Sequence, residues 1–356
     1  MRIGLIGLPN SGKTTVFNAL TKQQAPVTVY STAKAEPNVA IVEVPDDRIS
    51  RLSEMYRPKK TAFSTVEFID FVCMKEGSAK AGLFSGPDMG LIKAADALTL
   101  VVRNFAGKQE SPFTPLNDIE KIMDELIISD LIIAENRLER IAHAFMRGKK
   151  TNALQMEEKV LRKIVDHLSE NRAVRELDLD KEQGKTVRGV QFFTQKPLMV
   201  ILNSDESGFG KNGDLLIEIE KKYRVIEFAG KFEMELSALD DPQEEKIFMA
   251  DMGIQESARD RLTRLAYGLL GYISFFTVGS DEVRAWNIRE GKSALDAAGT
   301  IHSDLARGFI RAECFTYDDL MALGSEKAVR ERGRMRLEGK NYQVQDGNIL
   351  SIRFNV

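Results

Sequence analysis

The apolar positions of this chain change rhythm three times. The opening run Arg2-Ile-Gly-Leu-Ile-Gly7 reads as a short buried strand. It enters a glycine-containing loop and then Thr14 to Thr21, where Val16, Phe17, Ala19 and Leu20 recur at helical spacing. Strand, loop and helix in that order open a parallel α/β domain. Further β-type runs lie at Val39 to Val44, Val66 to Val72, Ala97 to Val102, Leu198 to Leu202 and Tyr223 to Phe228. Together these runs predict a wound sheet of about six strands.

A different composition interrupts them. From Leu116 to Arg147 and from Asn152 to Arg172 the chain is rich in Glu, Lys, Leu, Ile and Ala and contains no Pro. The turn signal Arg147-Gly-Lys-Lys150 separates the two stretches. Ile119, Ile122, Met123, Leu126, Asp130, Ile133, Arg137, Leu138 and Ile141 trace a partly interrupted stripe at steps of three and four. A helix of about 30 residues extends roughly 45 Å, further than an ordinary surface helix of a compact domain, so an inserted antiparallel helical hairpin is expected. After Gly271 short alternating segments take over: Ile273 to Val278, Ala285 to Ile288, Phe309 to Phe315, Arg334 to Leu337 and Ile349 to Phe354. The expected division is a discontinuous α/β domain over 1–114 and 185–272, a hairpin over 115–184 and an α+β module over 273–356. No internal repeat or low-complexity tract is visible.

Composition narrows the partners. The 356 residues are 43% hydrophobic and 29% charged, a globular mixture. Fifty Lys and Arg against 53 Asp and Glu leave a net charge of −3, so no global positive field draws the chain to nucleic acid or an anionic membrane, and any such contact must be local. The two cysteines, Cys73 and Cys314, match no metal spacing and fit a reducing compartment. The apolar opening is too short for a signal-peptide core, and no run of about 18 apolar residues occurs. A cytoplasmic protein with no membrane partner is expected.

The chemistry begins at Gly7-Leu-Pro-Asn-Ser-Gly12-Lys13-Thr14, which matches the phosphate-loop pattern at every fixed position. Glycines let consecutive backbone N–H groups turn inward on a phosphate, and the following helix aims its positive end at it. Lys13 reaches the β and γ phosphates and the Thr14 hydroxyl can ligate Mg²⁺. A strand before the loop and an amphipathic helix after it supply the context that a chance match lacks. Asp70 closes the run Val66-Glu-Phe-Ile-Asp70, where a nucleotide hydrolase of this kind keeps the acid that holds Mg²⁺ through water. Leu198-Met-Val-Ile-Leu-Asn203-Ser204-Asp205-Glu206 sets an Asn at the end of a buried-type strand with an acid three residues on. GTPases use Asn-Lys-x-Asp there to hold guanine. Ser in place of Lys and Glu in place of Asp leave the base preference open, because a carboxylate one methylene longer sits wrongly for the paired hydrogen bonds to guanine.

On these motifs the chain resembles the YchF/Obg-like ATPase family, a branch of the translation-factor GTPases. The resemblance is carried by the phosphate loop with Phe17-Asn-Ala-Leu-Thr-Lys22, by Glu36-Pro-Asn38 with Val44-Pro-Asp46, and by Val66 to Asp70. Further on it rests on Val283-Arg-Ala-Trp286, Ala298-Gly-Thr-Ile-His-Ser-Asp304, Gly308-Phe-Ile-Arg-Ala-Glu313, Tyr317-Asp-Asp319, Leu337-Glu-Gly-Lys340 and Val344-Gln-Asp-Gly347. It implies a P-loop α/β fold with a parallel-type sheet, the inserted hairpin and a C-terminal TGS domain of β-grasp type. It also implies ATP, or GTP, with Mg²⁺ as ligands, and the ribosome or a translation complex as partner. The family's Asn-x-x-Glu version of the base-reading motif matches Asn203 and Glu206, and Asn10 matches a loop Asn that helps related members hold K⁺. The candidate nucleotide contacts are Asn10, Ser11, Gly12, Lys13, Thr14 and Thr15, then Asn203, Ser204 and Glu206, then Ala229, Gly230 and Lys231 after the sixth β-type run. Thr14 and Asp70, the latter through water, are the candidate Mg²⁺ ligands; no catalytic side chain is assigned.

Three departures fall near the γ-phosphate. Phe71-Val-Cys73-Met74 replaces the family's Ile/x-Ala-Gly-Leu continuation, so Cys73 takes the place of the Gly whose amide approaches the γ-phosphate; the glycine-rich switch becomes Lys75 to Asp88 with glycines lost or moved, and Lys34 stands where a switch Thr would ligate Mg²⁺ unless Thr32 substitutes for it. Two readings follow: a slow ATPase acting as a nucleotide-dependent switch, and a docking protein that binds nucleotide without hydrolysing it. A kinase would share the loop but not explain the C-terminal matches.

Overall fold

The structure, a computed structural model, describes residues 1–22, 38–71, 77, 87–106, 113–239, 241–251, 253, 254 and 256–355. The sequence readings at Thr32, Lys34, Cys73 and Met74, and most of those along Lys75 to Asp88, lie outside the described residues. In chain order the elements begin β1 (Arg2–Ile6), α1 (Lys13–Thr21), β2 (Asn38–Glu43), α2 (Asp47–Tyr56), β3 (Lys60–Ala62), β4 (Thr65–Asp70), α3 (Pro87–Ala94) and β5 (Ala97–Asn104). They continue α4 (Pro115–Met146), α5 (Asn152–Ser169), α6 (Lys181–Val187), β6 (Leu198–Ser204), α7 (Gly213–Glu220), β7 (Arg224–Phe228), α8 (Gly230–Ser237), α9 (Pro242–Asp251) and α10 (Ala258–Leu270). The C-terminal part holds β8 (Tyr272–Thr277), β9 (Glu282–Arg289), α11 (Ala294–Ile301), α12 (Ser303–Arg307), β10 (Phe309–Thr316), α13 (Tyr317–Leu323), α14 (Glu326–Glu331), β11 (Arg336–Glu338) and β12 (Asn348–Phe354).

The expected six strands form one sheet in the order β2-β4-β1-β5-β6-β7. β1, β4, β5, β6 and β7 pair in parallel, and β5 and β6 are covered on both faces, which is why Leu98 to Val102, broken only by the buried Thr99, and Leu198 to Leu202 are apolar runs rather than alternating ones. Loops leave the carboxyl ends of these strands, and a ligand crevice in such a sheet forms there.

α4 and α5 are the hairpin. Pro115 sits in the first turn of α4, where its missing N–H is harmless, and the 32-residue helix extends about 48 Å. The chain reverses at Gly148, φ +78°, and Thr151 caps α5 by accepting from the Leu154 N–H at 3.3 Å. Val160, Leu161, Ile164 and Leu168 of α5 bury with Ile122, Leu126, Ala134 and Ile141 of α4 in the same core. The polar interruption of the α4 stripe, Asp130, is fully buried. It accepts hydrogen bonds from the Phe193 N–H at 2.8 Å, the Thr194 N–H at 2.7 Å and the Thr194 hydroxyl at 2.7 Å, fastening the hairpin to the segment that leads into β6.

A second sheet runs β11-β10-β12-β8-β9-β3. β8 and β9 form an antiparallel hairpin, β12 lies parallel to β8, and β10 is antiparallel to β12, so the first and last strands of the module are central, the β-grasp order. β3 extends this sheet by pairing in parallel with β9, Lys60 opposite Glu282 and Ala62 opposite Arg284.

Packing divides the chain into two compact units, one of residues 2–40 and 67–259, the other of residue 1, 41–66 and 260–356. Segments 41–66 and 260–272 are therefore grouped differently from the sequence reading, which kept both with the nucleotide-binding part. For 41–66 the reason lies in α2, whose Ile49 and Leu52 bury against Phe276, Val283, Phe315 and Ile349. Two buried apolar residues on a short helix carry no mark of which sheet they will cover.

Candidate functional site

β1 delivers the chain to Gly7, where a Cβ would stand 2.6 Å from the Val101 carbonyl oxygen and 2.7 Å from the Ser11 hydroxyl oxygen. Only glycine allows the loop to lie this close to β5. Asn10 and Gly12 both adopt left-handed backbone conformations, φ +63° and +82°, and a side chain at Gly12 would collide with the Asn203 amide. Gly12 caps α1 with no side-chain hydrogen bond, so the first-turn N–H groups of α1 receive no acceptor from the cap. The Ser11 hydroxyl is buried without a hydrogen-bond partner among the described residues. A turned loop, a helix N-terminus uncapped by a side chain and a buried unpartnered hydroxyl form an anion cradle.

Lys13 and Asp70 pair within this cradle, their side chains only 4% and 3% exposed. Asp70 arrives on the last residue of β4 and also accepts from the Thr14 hydroxyl at 3.1 Å and, at the long limit of 3.4 Å, from the Asn38 amide. Isolated charges this deeply buried would be costly, and the pairing removes that penalty. The same three groups, a cation, a hydroxyl and a carboxylate, are those that a phosphate loop needs for a metal-bound triphosphate.

Asn203, at the end of β6, ties two loops together. Its Nδ2 donates to the Ser11 carbonyl at 3.0 Å and its Oδ1 accepts from the Gly230 N–H at 3.1 Å. Ala229 is buried beside it as the cap of α8, and a side chain at Gly230 would run into the Asn203 amide. The structure thus brings together residues 10–15, Asp70, Asn203, Ala229 and Gly230 at the carboxyl ends of β1, β4, β6 and β7.

Three of the expected contacts lie outside this group. Strand alternation turns Ser204 away from Asn203; its hydroxyl donates to Glu227 Oε1 at 2.6 Å and accepts from the Asn104 amide at 3.0 Å. Asn212 donates to the same Glu227 oxygen at 2.5 Å, and the Gly210 N–H to the other at 3.1 Å, so Ser204 belongs to a buried polar cluster under the loop after β6. Glu206 is exposed on that loop. Lys231 is 74% exposed and faces Glu235 at 3.7 Å. Sequence reasoning missed Glu227, Asn104 and Asn212, and the one available signal was a Glu within the β-type run Tyr223 to Phe228.

Phosphate loop, buried lysine, strand-end aspartate and parallel sheet define a P-loop nucleotide-binding protein of the GTPase class. Residues 2–137 match the family described as 50S ribosome-binding GTPase, and residues 272–355 match the YchF C-terminal family, itself described as a protein of unknown function. The chain is 37% identical to the ribosome-binding ATPase YchF of Bacillus subtilis over 99% of each chain. It is 38% identical to the protein of that name from Haemophilus influenzae over 100% of this chain and 99% of the relative. The solved structure of the Schizosaccharomyces pombe YchF GTPase superposes with a TM-score of 0.81 at 28% identity, covering 99% of this chain and 97% of that one. The chain belongs to the YchF family, as its motifs implied, and it is a nucleotide-binding protein. Among the described residues no helix is long and apolar enough to cross a membrane.

Proposed function

We propose that this protein is a slow, purine-nucleotide-dependent ATPase switch that engages the ribosome in the cytoplasm. The observation that carries the nucleotide chemistry is the buried cluster of Lys13, Thr14 and Asp70 inside a cradle whose Ser11 hydroxyl has no partner. Lys13 is the cation that turns from Asp70 to the β and γ phosphates. Thr14 and, through water, Asp70 would hold Mg²⁺, which when bound would neutralise charge on the phosphates. Asn10 is the candidate K⁺ ligand. Asn203 stiffens the floor of the base site and Glu206 is the candidate reader of the base, disfavouring guanine for the geometric reason given above. Slow turnover is expected because Lys34 and Cys73 stand where the family would present a Mg²⁺-ligating Thr and a Gly whose amide approaches the γ-phosphate. Ribosome engagement rests on the relatives, which are named as ribosome-binding proteins. Within this reading, 1–114 and 185–272, without the segments 41–66 and 260–272 that pack with the C-terminal unit, bind nucleotide, 115–184 is the inserted hairpin and 273–356 the TGS-type module.

The test is a parallel titration with ATP, GTP, ADP and GDP in Mg²⁺, with and without K⁺, followed by phosphate release on the same sample. ATP should bind at least as tightly as GTP, and release should be slow but measurable. Tenfold tighter binding of GTP would overturn the base assignment, and no phosphate release would leave a binding protein rather than an ATPase.

A further inference from the structure

Away from the phosphate loop, and independent of the ATPase reading, the hairpin unit holds an open cleft of about 480 Å³ between α3, α4, α5 and the turn after α6. That volume lies in the range of small-molecule sites. Its α4 wall carries Ile133, Asn136, Arg137 and Arg140, the three-and-four spacing of one helix face, and Val190 joins Ile133 as its apolar surface. Both of these residues pack against the main core, which makes that surface firm.

The charges are unbalanced. Arg137 donates through Nε and Nη2 to the two carboxylate oxygens of Glu157 at 2.7 and 2.9 Å, a two-pronged pair that fixes its guanidinium and leaves Nη1 free of that carboxylate. Lys93, from α3, and Arg140 form no ion pair with any described residue. A chain with more acidic than basic groups has thus placed two uncompensated cations in one concave site, beside a third held in position by its own carboxylate. With Glu157 offset by Arg137, the excess charge of the lining is positive, and a cleft with a net charge of one sign concentrates counter-ions of the other. Two spare positive charges match the charge of about −1.5 to −2 on a phosphate monoester at neutral pH. The apolar surface suits a carbon body attached to it.

We propose that this cleft binds a small organic phosphate, with Lys93 and Arg140 supplying the countercharge, Arg137 a preset donor, and Ile133 and Val190 the surface for the organic part. The side chain of Arg140 is exposed and that of Lys93 half-buried, so both tolerate truncation.

The experiment uses the full chain with its phosphate loop saturated by Mg²⁺ and ADP, and phenyl phosphate as the probe in a calorimetric titration. Saturable binding is expected, weakened at least tenfold in Lys93→Gln/Arg140→Gln and unchanged by a further excess of Mg²⁺ and ADP. ADP affinity in the double variant reports that it is folded, and the single variant Arg140→Gln, at an exposed position, provides a second reading if it is not. The proposal fails if the wild-type protein shows no saturable binding, if the double variant binds as well as the wild type, or if excess Mg²⁺ and ADP displace the probe, which would return it to the phosphate loop. Benzyl alcohol binding as tightly as phenyl phosphate would also overturn it, because the anion would then contribute nothing.

Discussion

The two sheets of this protein are completed in opposite ways. The parallel sheet builds its site from one contiguous loop, residues 7–14, plus single residues at strand ends: Asp70 on β4, Asn203 on β6, and Gly230 just after β7. The β-grasp sheet needs a segment from far upstream in the chain. β3 pairs with β9, and α2 inserts Ile49 and Leu52 beside Phe276 and Val283. Arg48 fastens that helix by donating from Nη1 to Asp346 at 2.6 Å while lying 5.1 Å from the centre of the Phe276 ring. A site assembled from a loop and strand ends survives changes elsewhere as long as the strands stay in register, whereas a core closed by a distant segment depends on that segment for its stability.

The largest effect should therefore come from the borrowed helix. Leu52→Ala removes a fully buried side chain and should cost about 2–5 kcal/mol, lowering the denaturation midpoint of the C-terminal unit while nucleotide affinity stays put. An equal loss of nucleotide affinity would break the comparison. Residues 273–356 expressed alone lack α2 and β3, and adding a peptide spanning residues 44–66 should raise their melting temperature; no response to the peptide would show that the segment is dispensable.

The hairpin's buried carboxylate sharpens the contrast from the other side. Burial pushes the Asp130 carboxyl up from 3.8 to about 6, against the opposing pull of its hydrogen bonds from Thr194 and Phe193 and of the Lys196 charge. The native state then holds this proton more tightly than the unfolded chain. The carboxyl's contribution to stability is full below the unfolded value and is lost as pH rises through about 6, by about 3 kcal/mol in all. Measured by urea denaturation from pH 4 to 7, wild type should lose stability relative to Asp130→Asn over that interval and then run parallel to it. A difference constant across the range would show that Asp130 keeps an ordinary acidity.

At the phosphate loop, Lys13→Ala should weaken triphosphate binding at least tenfold, about 1.4 kcal/mol, because a charge-assisted contact to phosphate is lost. Equilibrium binding checks it, and unchanged affinity in a folded variant would mean that the loop does not hold the nucleotide. The smallest effect is expected at Ser204. Ser204→Ala should cost stability of about 1 kcal/mol through the lost bond to Glu227, yet leave nucleotide affinity within about twofold. A larger drop in affinity would return Ser204 to the nucleotide site.

Local signals made much of this legible in advance. The six strands of the parallel sheet, both hairpin helices and the β-type segments of the C-terminal module were readable because each is a sustained run of one period. The loop from Gly7 to Thr14 was readable because its spacing serves a backbone geometry that few other sequences can adopt. β3 was not, since three residues bounded by lysines and a turn carry no periodic signal and become a strand only beside β9.

By itself the sequence determined the order of elements, the position of the phosphate loop and the residues on offer at each strand end, since these follow from short-range periodicity and from glycine and lysine chemistry. Which of those residues meet was decided by the tertiary structure. Asn203 and Ser204 are adjacent and both polar, yet the strand sends one to the loop of Ser11 and the other to Glu227. Asp130 looked like a flaw in an apolar stripe until the chain brought two backbone N–H groups and a hydroxyl to it. Ile49 and Leu52 would satisfy any apolar surface, and only folding chose the β-grasp sheet over the parallel one. Hydrophobic burial is non-directional, so it tells each segment to bury without saying against what; that choice belongs to the whole chain.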